Sequence, residues 1–551
     1  MRLQNRGGVV ACLLLIGMLL SSGAAEAQPR AASPGRPPNI IIVIADDLGY
    51  GELGSYGQDK IRTPHLDRLA AEGVRLTQFY SGSPVCAPSR ATLLTGRHTG
   101  HTYVRGNYEL GGFGDDEEGG QLAMRSGTET MATMLKEAGY ATAAIGKWGL
   151  GGLASPDTAA QAPEAGLPYH FGFDLFYGYL DQKQAHNYYP THLWRVTAEQ
   201  GAVWDTLAND YFSPHQRLDE VPEQTSAYDP YRGEEYAPDR MHAEALRFIQ
   251  EHQDESFFLY LAPTVPHVSL QVPDEELVPY DFEETPYLGQ QNYLPHPRPR
   301  AAYAGMISRM DRQIGEVVAL VGSLGLGDNT LVVFTSDNGT TYNGGTEADF
   351  FASVGELRGL KGSVYEGGIR VPMVARWPGR IPAGRVSEAV GALWDLLPTV
   401  AEATGAPPLD SLDGISLLPA LTGAQEAAPA SSSETDTSAV DEAFAERPPL
   451  YWEYFGLCEG QQALRAGRWK IVRLGVHEEG AAPVELYDLE TDPEETTNVA
   501  VEHPEVARRL ARLLQEARTI SPVARWSIVT PPSEAPLAEG TPRHTCFPWN
   551  Q

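Results

Sequence analysis

The stretch CAPSRATLLTGR, residues 86–97, carries more information about this chain than any other. Pro88 is typical of the first turn of a helix and Gly96 of its C-terminal cap, so Cys86 is expected at or just before the helix start. Unpaired backbone N–H groups and the positive end of the helix dipole favour an anion there. Arg90 lies one turn further along the same face. The stretch therefore predicts an anion site with a fixed cation beside residue 86.

Four apolar, β-rich runs alternate with helical patterns along the chain, and each run leads to polar residues. Nearly continuous hydrophobic strands of this kind indicate a parallel sheet that is covered on both faces. Ligands of such sheets bind beyond the carboxyl ends of the strands, so we expect these polar residues to share one site. The runs are Ile40–Ala45 before Asp46-Asp47, Thr142–Ile145 before Gly146-Lys147, Phe257–Ala262 before His267, and Leu331–Thr335 before Asp337-Asn338.

Helix signals separate these runs. Thr63 is expected to cap a helix that has Pro64 in its first turn and ends at Gly73. Residues 128–138 predict a second helix, which Gly139 ends, and residues 301–324 predict a longer one. The alternation of helices with strands favours an α/β fold.

The C-terminal part of the chain has a different pattern. Residues 423–447 are rich in Ala, Ser, Glu and Asp, which is typical of an exposed linker or loop. A hairpin signal follows at residues 463–472, then a short strand signal at 485–489 and an amphipathic helix at 504–517. We therefore expect a large domain that contains the predicted anion site at residues 38–422 and a smaller C-terminal subdomain, with an antiparallel sheet and a helix, at 448–551.

The N-terminus is typical of a secretory signal peptide. Arg2 and Arg6 precede the apolar run Val9–Leu20, and Ala25-Glu26-Ala27 offers a small-X-small cleavage site, so residues 1–27 are expected to be removed. No later run is long and apolar enough to cross a bilayer, which predicts a secreted or periplasmic protein without a stable membrane anchor. The net charge of −31 argues against nucleic acid as a partner.

Cysteine usage fits an oxidising compartment. After removal of residues 1–27 only Cys86, Cys458 and Cys546 remain. Cys458 and Cys546 are available to pair with one another, although their distance is not readable from sequence. Cys86 would then be the cysteine left over, which marks it as chemically special.

The stretch at residues 86–97 resembles the signature of type I, formylglycine-dependent sulfatases, most closely the bacterial arylsulfatase-like members of the alkaline phosphatase superfamily. The resemblance extends over most of residues 38–500. It implies an alkaline-phosphatase-like α/β fold, with a mixed, mostly parallel sheet flanked by helices and a smaller C-terminal α+β subdomain. It also implies that Cys86 is oxidised to formylglycine by a maturase, and that the substrate is a sulfated small molecule or glycan.

The same resemblance implies a metal site. Asp46 and Asp47 match the paired acids of the first strand, and Asp337-Asn338-Gly339 matches a second acidic motif of the family. Together with residue 86, Asp46, Asp47, Asp337 and Asn338 form a hard oxygen set. Such a set suits a divalent cation, Ca²⁺ first and Mg²⁺ second.

Catalytic roles also follow from the resemblance. Asp337 is the expected base for the attacking hydroxyl, and Arg90, Lys147 and Lys361 belong to the catalytic set. The two lysines and the metal would neutralise charge on the transferring sulfuryl group. His267 would protonate the leaving alcohol. Taken singly, each lysine is an ordinary surface residue and His267 an ordinary loop histidine, and only their joint occurrence in the family order favours the catalytic interpretation.

One position departs from the family pattern. Many sulfatases have Gly-Lys-Trp-His-Leu-Gly, whereas residues 146–151 of this chain are GKWGLG. The missing histidine assists the release of sulfate from the enzyme in that family. Our hypothesis is that His186 replaces it, because the surrounding stretch QAHNYYP, residues 184–190, resembles a bacterial subgroup that shares Gly149.

Two other functions stay open at this point. A phosphate or phosphonate ester hydrolase of the same superfamily would use a similar anion and metal site. A catalytically silent protein that binds sulfated glycans is the second alternative, suggested by Gly149. The aromatic segment Phe171–Tyr236 has two interpretations as well, the packing of a long loop region or a wall for sugar or aryl groups.

Overall fold

A computed structural model describes residues 35–108, 121–151, 166–212, 216–291, 293–424, 447–478 and 482–550. The described residues form fourteen strands and ten α-helices. The expected signal peptide and almost all of the expected linker lie outside the described residues. The domain boundaries therefore stay a prediction.

The strands are β1 Asn39–Ala45, β2 Val74–Tyr80, β3 Ala141–Lys147, β4 Leu175–Tyr179, β5 His192–Thr197, β6 Gly201–Thr206, β7 Phe257–Ala262, β8 Thr330–Ser336, β9 Met373–Arg376, β10 Arg385–Ala392, β11 Leu450–Tyr454, β12 Gln461–Ala466, β13 Trp469–Leu474 and β14 Val484–Asp488. The helices are α1 Pro64–Ala71, α2 Cys86–Thr95, α3 Met131–Glu137, α4 Ala237–Glu251, α5 Pro299–Ser323, α6 Ala348–Phe351, α7 Glu366–Ile369, α8 Leu396–Thr404, α9 Leu418–Thr422 and α10 Pro504–Glu516.

Ten of the strands form one large sheet in the order β10-β2-β9-β8-β1-β7-β3-β4-β5-β6. The central strands β8, β1, β7, β3 and β4 are parallel, as is the pair of β10 and β2. Strands β9, β5 and β6 run antiparallel to their neighbours. The expected mixed, mostly parallel sheet is confirmed, and the carboxyl ends of its four most central parallel strands lie side by side.

Both faces of this sheet are buried. Along β1, Ile41 and Val43 pack into one hydrophobic cluster, and Ile40 and Ile42 pack into another on the opposite face. Side chains alternate across a strand, so a strand that is apolar at every position serves two cores at once. Helices α4 and α5 contribute to the first core, and α2, α3 and α8 contribute to the second.

The C-terminal sheet is antiparallel, in the order β11-β12-β13-β14. One of its faces packs against α10, and the other packs against residues of the large sheet and its loops, including Ile369 and Trp394. This small sheet is therefore attached to the large sheet and its loops by a hydrophobic interface. The expected smaller α+β unit with its hairpin and helix is present.

A buried ionic cluster, here called the junction cluster, crosses that interface. Lys470 Nζ lies 2.9 Å from Glu366 Oε1 and 2.9 Å from Glu495 Oε1, and all three side chains are fully buried. The hydroxyl of Tyr80 donates to Glu366 Oε2 at 2.7 Å, and Arg465 donates to the Tyr80 oxygen. The junction cluster thus joins β2, α7 and the C-terminal sheet.

Helix starts differ in detail from the sequence prediction. The helix expected from Thr128 begins at Met131, because Thr130 is its N-cap and forms a capping box with Thr133. Thr63 occupies the expected N-cap position of α1, but its hydroxyl donates to Asp67 Oδ1 and accepts from the Gly54 N–H rather than capping the helix. Gly96 ends α2 with φ +67°, a conformation that glycine adopts without strain.

Cys458 and Cys546 form a disulfide, with 5.1 Å between their Cα atoms. Cys86 is the one free cysteine among the described residues, and it is buried. None of the helices in the described part of the chain is long and apolar enough to span a membrane.

Candidate active site

The polar residues that follow the central strands meet at one edge of the large sheet. Asp46 and Asp47 follow β1, Lys147 ends β3, His267 lies beyond β7, and Asp337 follows β8. Lys361 reaches the same place from the loop before α7, and Cys86 and Arg90 reach it from α2. Every site residue predicted from strand ends is therefore brought together, as expected for the carboxyl edge of a parallel sheet.

Cys86 is the first residue of α2 and is 1% exposed. Its Sγ lies 3.3 Å from Asp46 Oδ1 and 3.9 Å from Asp47 Oδ1. Burial and the charge of Asp46 raise the pKa of the Cys86 thiol. The sulfur thus faces two carboxylates at a helix start, as a neutral thiol.

Each carboxylate of the Asp46-Asp47 pair has its own lysine. Lys147 Nζ donates to Asp46 Oδ2 at 2.5 Å, and Lys361 Nζ donates to Asp47 Oδ2 at 2.8 Å. Burial opposes the charge of Asp46, but Lys147 and the other cations outweigh it and hold the pKa of Asp46 well below its usual range. Burial raises the pKa of Asp47, and Lys361 only partly offsets that shift.

Arg90 is held inside the site by two partners. Its Nε and Nη2 donate to Asp337 Oδ2 at 3.0 and 2.7 Å, and its Nη1 donates to the Lys147 carbonyl at 2.7 Å. Burial and Asp46 together raise the pKa of Asp337 to about 7 despite the Arg90 charge. Arg90 therefore fixes Asp337 and the end of β3 in relation to α2.

The two histidines of the site stack on one another. The rings of His186 and His267 lie 4.5 Å apart at an interplanar angle of 11°. His267 Nδ1 lies 2.5 Å from the Val268 carbonyl, which only accepts, so Nδ1 carries the hydrogen. His267 Nε2 then faces Asp47 Oδ2 at 3.5 Å. Burial lowers the pKa of both imidazoles.

Gln182 occupies the space that a side chain at residue 149 would need. Gly149 has φ +66°, and a Cβ placed on it would lie 2.3 Å from Gln182 Nε2. The Gln182 side chain is 2% exposed, and its Nε2 has no hydrogen-bond partner among the described residues. Gln182 thus fills the space beside Gly149, the position at which many sulfatase-like sequences have a histidine, and sequence reasoning missed this feature.

The comparisons with known proteins agree with this geometry. The sulfatase family model matches residues 38–406, and the model of the C-terminal region of N-sulphoglucosamine sulphohydrolase matches residues 360–520. This chain belongs to the sulfatase family. Sulfatases are sulfuric ester hydrolases, and this chain is a sulfuric ester hydrolase of that family.

Several relatives of this sulfatase are similar over most of their length. Arylsulfatase A of Homo sapiens is 35% identical over 501 residues, which covers 87% of each chain. N-acetylgalactosamine-6-sulfatase of Canis lupus familiaris is 33% identical over 415 residues, covering 72% of this chain and 68% of its own. The crystal structure of Ps i-CgsB in complex with k-i-k-neocarrahexaose has a TM-score of 0.67 and 26% identity, covering 90% of this chain and 96% of that one.

The donor set of the sulfatase site suits a hard divalent cation. Asn338 Nδ2 donates to Asp47 Oδ1 at 2.7 Å, while the buried Asn338 Oδ1 has no hydrogen-bond partner among the described residues. A buried acceptor without a donor is costly, and a cation beside it removes that cost. Ligand atoms of Asp46, Asp47, Cys86 and His267 also lie within 4.8 Å of one another.

Asp47 adopts a left-handed backbone conformation, with φ +68°. Its N–H donates to Asp337 Oδ1 at 3.1 Å, and the next N–H, of Leu48, donates to Ser336 Oγ. Such strain in a non-glycine residue is common at functional sites, where surrounding bonds hold it in place. The sequence Asp46-Asp47 indicates the site, but the left-handed backbone conformation that directs Asp47 into the site is not readable from the sequence.

The aromatic segment Phe171–Tyr236 is mostly core. Tyr188, Tyr189, Trp194 and Tyr236 are all buried, which supports the packing interpretation for them. Trp204 is different, since it is 61% exposed and stacks on His192 at the outermost strand.

Proposed function

We propose that this sulfatase hydrolyses sulfate monoesters of carbohydrates outside the cytoplasm, with formylglycine at residue 86 and a bound divalent cation. The observation that carries the proposal is the position of Cys86 Sγ, 3.3 Å from Asp46 Oδ1 at the buried start of α2. A helix start with cations around it suits a sulfate group, and the carboxylates suit a metal ion.

Asp46, Asp47, Asp337 and Asn338, with residue 86, are the proposed metal ligands. Three carboxylates and one amide oxygen favour Ca²⁺, with Mg²⁺ as the alternative. When bound, the cation would supply Lewis-acid stabilisation of a sulfate oxygen and make a hydroxyl on residue 86 more acidic.

Asp337 is the proposed base for the hydroxyl of the matured residue 86. Its Oδ2 is held by two donors of Arg90, while its Oδ1 accepts from the Asp47 N–H. We therefore assign Arg90 a positioning role that keeps the Asp337 carboxylate in place. Lys147 and Lys361, each paired with one acid of the Asp46-Asp47 pair, supply positive charge to the oxygens of the transferring sulfuryl group.

His267 is the proposed acid for the leaving alcohol. Because Nδ1 is committed to the Val268 carbonyl, Nε2 is the atom that gains and gives the proton. His186 is the proposed partner for the second step, the release of sulfate from residue 86. Its ring lies against that of His267, and Gln182 rather than an imidazole fills the space beside Gly149.

Carbohydrate is the preferred substrate class because relatives named as N-acetylgalactosamine-6-sulfatases are similar over most of the chain. The disulfide between Cys458 and Cys546 supports export, since such bonds persist in oxidising compartments. The signal-peptide pattern of residues 1–27 supports the same conclusion.

Mass spectrometry of the tryptic peptide that contains Cys86 tests the proposal, with protein purified from its native host. We expect an aldehyde in place of the thiol, together with turnover of 4-nitrophenyl sulfate that exceeds turnover of 4-nitrophenyl phosphate. Because the leaving group is the same in both esters, the comparison separates a sulfatase from a phosphate ester hydrolase. An unmodified thiol in active enzyme contradicts the formylglycine proposal, and a matured protein that binds sulfated glycans without releasing sulfate supports the silent binder.

A further inference from the structure

Three tyrosines border the open side of the site. Tyr293, Tyr342 and Tyr454 are partly exposed, and the Lys361 charge acts on all three hydroxyls. Lys361 itself is 15% exposed, whereas the lysine on β3 is fully buried. The exposed side of the site is therefore lined by aromatic rings.

Tyr342 is shared with a neighbouring groove of about 340 Å³. The groove combines one further aromatic ring with amide, hydroxyl and carboxylate groups, a lining that suits a sugar because each pyranose has both an apolar face and hydroxyl edges. The aromatic and polar side chains that line the groove are those of Tyr287, Gln290, Gln291, Thr346 and Glu347.

Tyr342 is supported by a segment from the far end of the sequence. The disulfide ties Cys546 to Cys458, four residues beyond β11. The next residue, Phe547, is 2% exposed, and its ring stacks on that of Trp549 at 4.8 Å and 18°. The Trp549 ring in turn lies 5.0 Å from that of Tyr342. The disulfide thus anchors the segment, and the rings of Phe547 and Trp549 connect it to Tyr342.

We propose that Tyr342 is the stacking face for the sugar next to the sulfated one, and that Trp549, held by the disulfide, is its positioning residue. The groove beside Tyr342 takes that second sugar of an oligosaccharide while the sulfate ester lies among Lys361, Lys147 and residue 86. This inference rests on the proposed function and narrows it, from sulfated carbohydrates in general to chains of at least two sugars.

The test compares substrates that differ only in length. Wild type and Trp549→Ala are assayed on sulfated monosaccharides, on hexasaccharides with the same sulfated unit, and on 4-nitrophenyl sulfate. Wild type is expected to prefer the hexasaccharide, and Trp549→Ala to reduce that preference about fivefold, mainly through KM, since one aromatic contact has roughly that effect. Turnover of 4-nitrophenyl sulfate, which does not fill the groove, should change by a smaller factor.

Three further variants make the outcome specific. Trp549→Phe keeps an aromatic ring against Tyr342 and should restore most of the preference. Cys458→Ser/Cys546→Ser frees the segment and should act like Trp549→Ala. Tyr169→Ala, at a partly exposed tyrosine before β4, is the matched control and should leave the preference unchanged.

The results separate the inference from the proposed function. A wild-type enzyme that cleaves monosaccharides as well as hexasaccharides, or that cleaves no hexasaccharide, overturns the inference. Equal losses on both lengths in Trp549→Ala also overturn it, because they indicate a structural role alone. If wild type turns over no sulfate ester of any kind, the proposed function fails as well.

Discussion

Two of the buried charge clusters in the described part of the chain differ in their access to solvent. The site cluster is made of Asp46, Asp47, Asp337, Arg90, Lys147 and Lys361. Its Lys361 is partly exposed, and Asn338, which donates to Asp47, lies beside it. In the junction cluster, Lys470 lies between two glutamates, and all three side chains are sealed from solvent.

This difference indicates that the site cluster binds a ligand, whereas the junction cluster holds two structural units together. Buried charges are costly unless they are paired, and a cluster sealed from solvent, in which one lysine lies between two glutamates, is suited to joining two structural units. A buried charge cluster that keeps access to solvent is suited to binding a ligand. Disruption of the site cluster should therefore remove activity, and disruption of the junction cluster should remove stability.

The largest expected effect is on activity. Cys86→Ala removes the proposed nucleophile and should lower turnover of 4-nitrophenyl sulfate by at least about 10³-fold, by analogy with other enzymes that form covalent intermediates. The melting temperature should stay near that of the wild type, because alanine fits the same buried helix start. Activity above one per cent of wild type would show that residue 86 is not the nucleophile.

Lys470→Met should have the largest effect on stability. The change leaves Glu366 and Glu495 buried without their shared cation and should lower the free energy of unfolding by about 3–5 kcal/mol. Urea titration followed by tryptophan fluorescence measures this loss. Turnover per folded molecule should persist at low temperature. Loss of turnover without loss of stability would contradict the assignment of the junction cluster to stability.

Calcium should stabilise the site cluster and leave the junction cluster untouched. At a concentration of Ca²⁺ one hundred times its Kd, the free energy of unfolding should rise by about 2.7 kcal/mol over that of chelator-treated protein. Differential scanning calorimetry measures the gain without any need for substrate. Asn338→Ala should shrink it, because the unpaired Oδ1 is lost, while Lys470→Met should retain the full gain. An equal gain in Asn338→Ala would contradict the assigned ligand set.

The smallest expected effect is a pH dependence in the junction cluster. Burial and the charge of Glu366 raise the pKa of Glu495 from 4.5 to about 7, while Lys470 lowers it in part. Between these pH values the folded protein binds more protons than the unfolded chain, so stability contributed by Glu495 falls as the pH rises from 4.5 to 7.

Glu495→Gln should remove that dependence. Lys470, Glu366, Tyr487 and Arg358 face the Glu495 carboxyl and remain in the variant. At pH 8 the variant should be more stable than wild type by on the order of 2 kcal/mol. Unfolding titrations at pH 5 and pH 8 give the comparison, and parallel pH curves for the two proteins would show that Glu495 is already charged at pH 5.

The central sheet was predictable because its signal is local. Each apolar run, such as Ile40–Ala45, is short and ends in polar residues, and the structure extends it by at most two residues at either end. The carboxyl ends of adjacent parallel strands lie at one edge of the sheet, so the polar residues that follow these strands are predicted to meet there. The short antiparallel β9 was not predicted, because four residues carry too little periodicity.

The parts that escaped prediction depend on contacts between distant segments. Gln182 fills the space above Gly149, and Trp549 lies against Tyr342, yet each pair is far apart in sequence. Periodicity and turn signals describe neighbours along the chain, so they carry no information on such pairs. The left-handed backbone of Asp47 was not predicted for the same reason, because hydrogen bonds to residues at the end of β8, which is distant in sequence, hold it in place.

The Gln182 amide beside Gly149 makes these two positions epistatic. Any side chain introduced at residue 149 alone would collide with Gln182 Nε2, which lies 2.3 Å from the Cβ position, and would also strain a backbone at φ +66°. A side chain fits there only if the flexible Gln182 side chain moves aside or is shortened. The effects of changes at residues 149 and 182 on activity and stability are therefore expected to be non-additive, with the glutamine as the residue that has to move before a histidine at residue 149 fits.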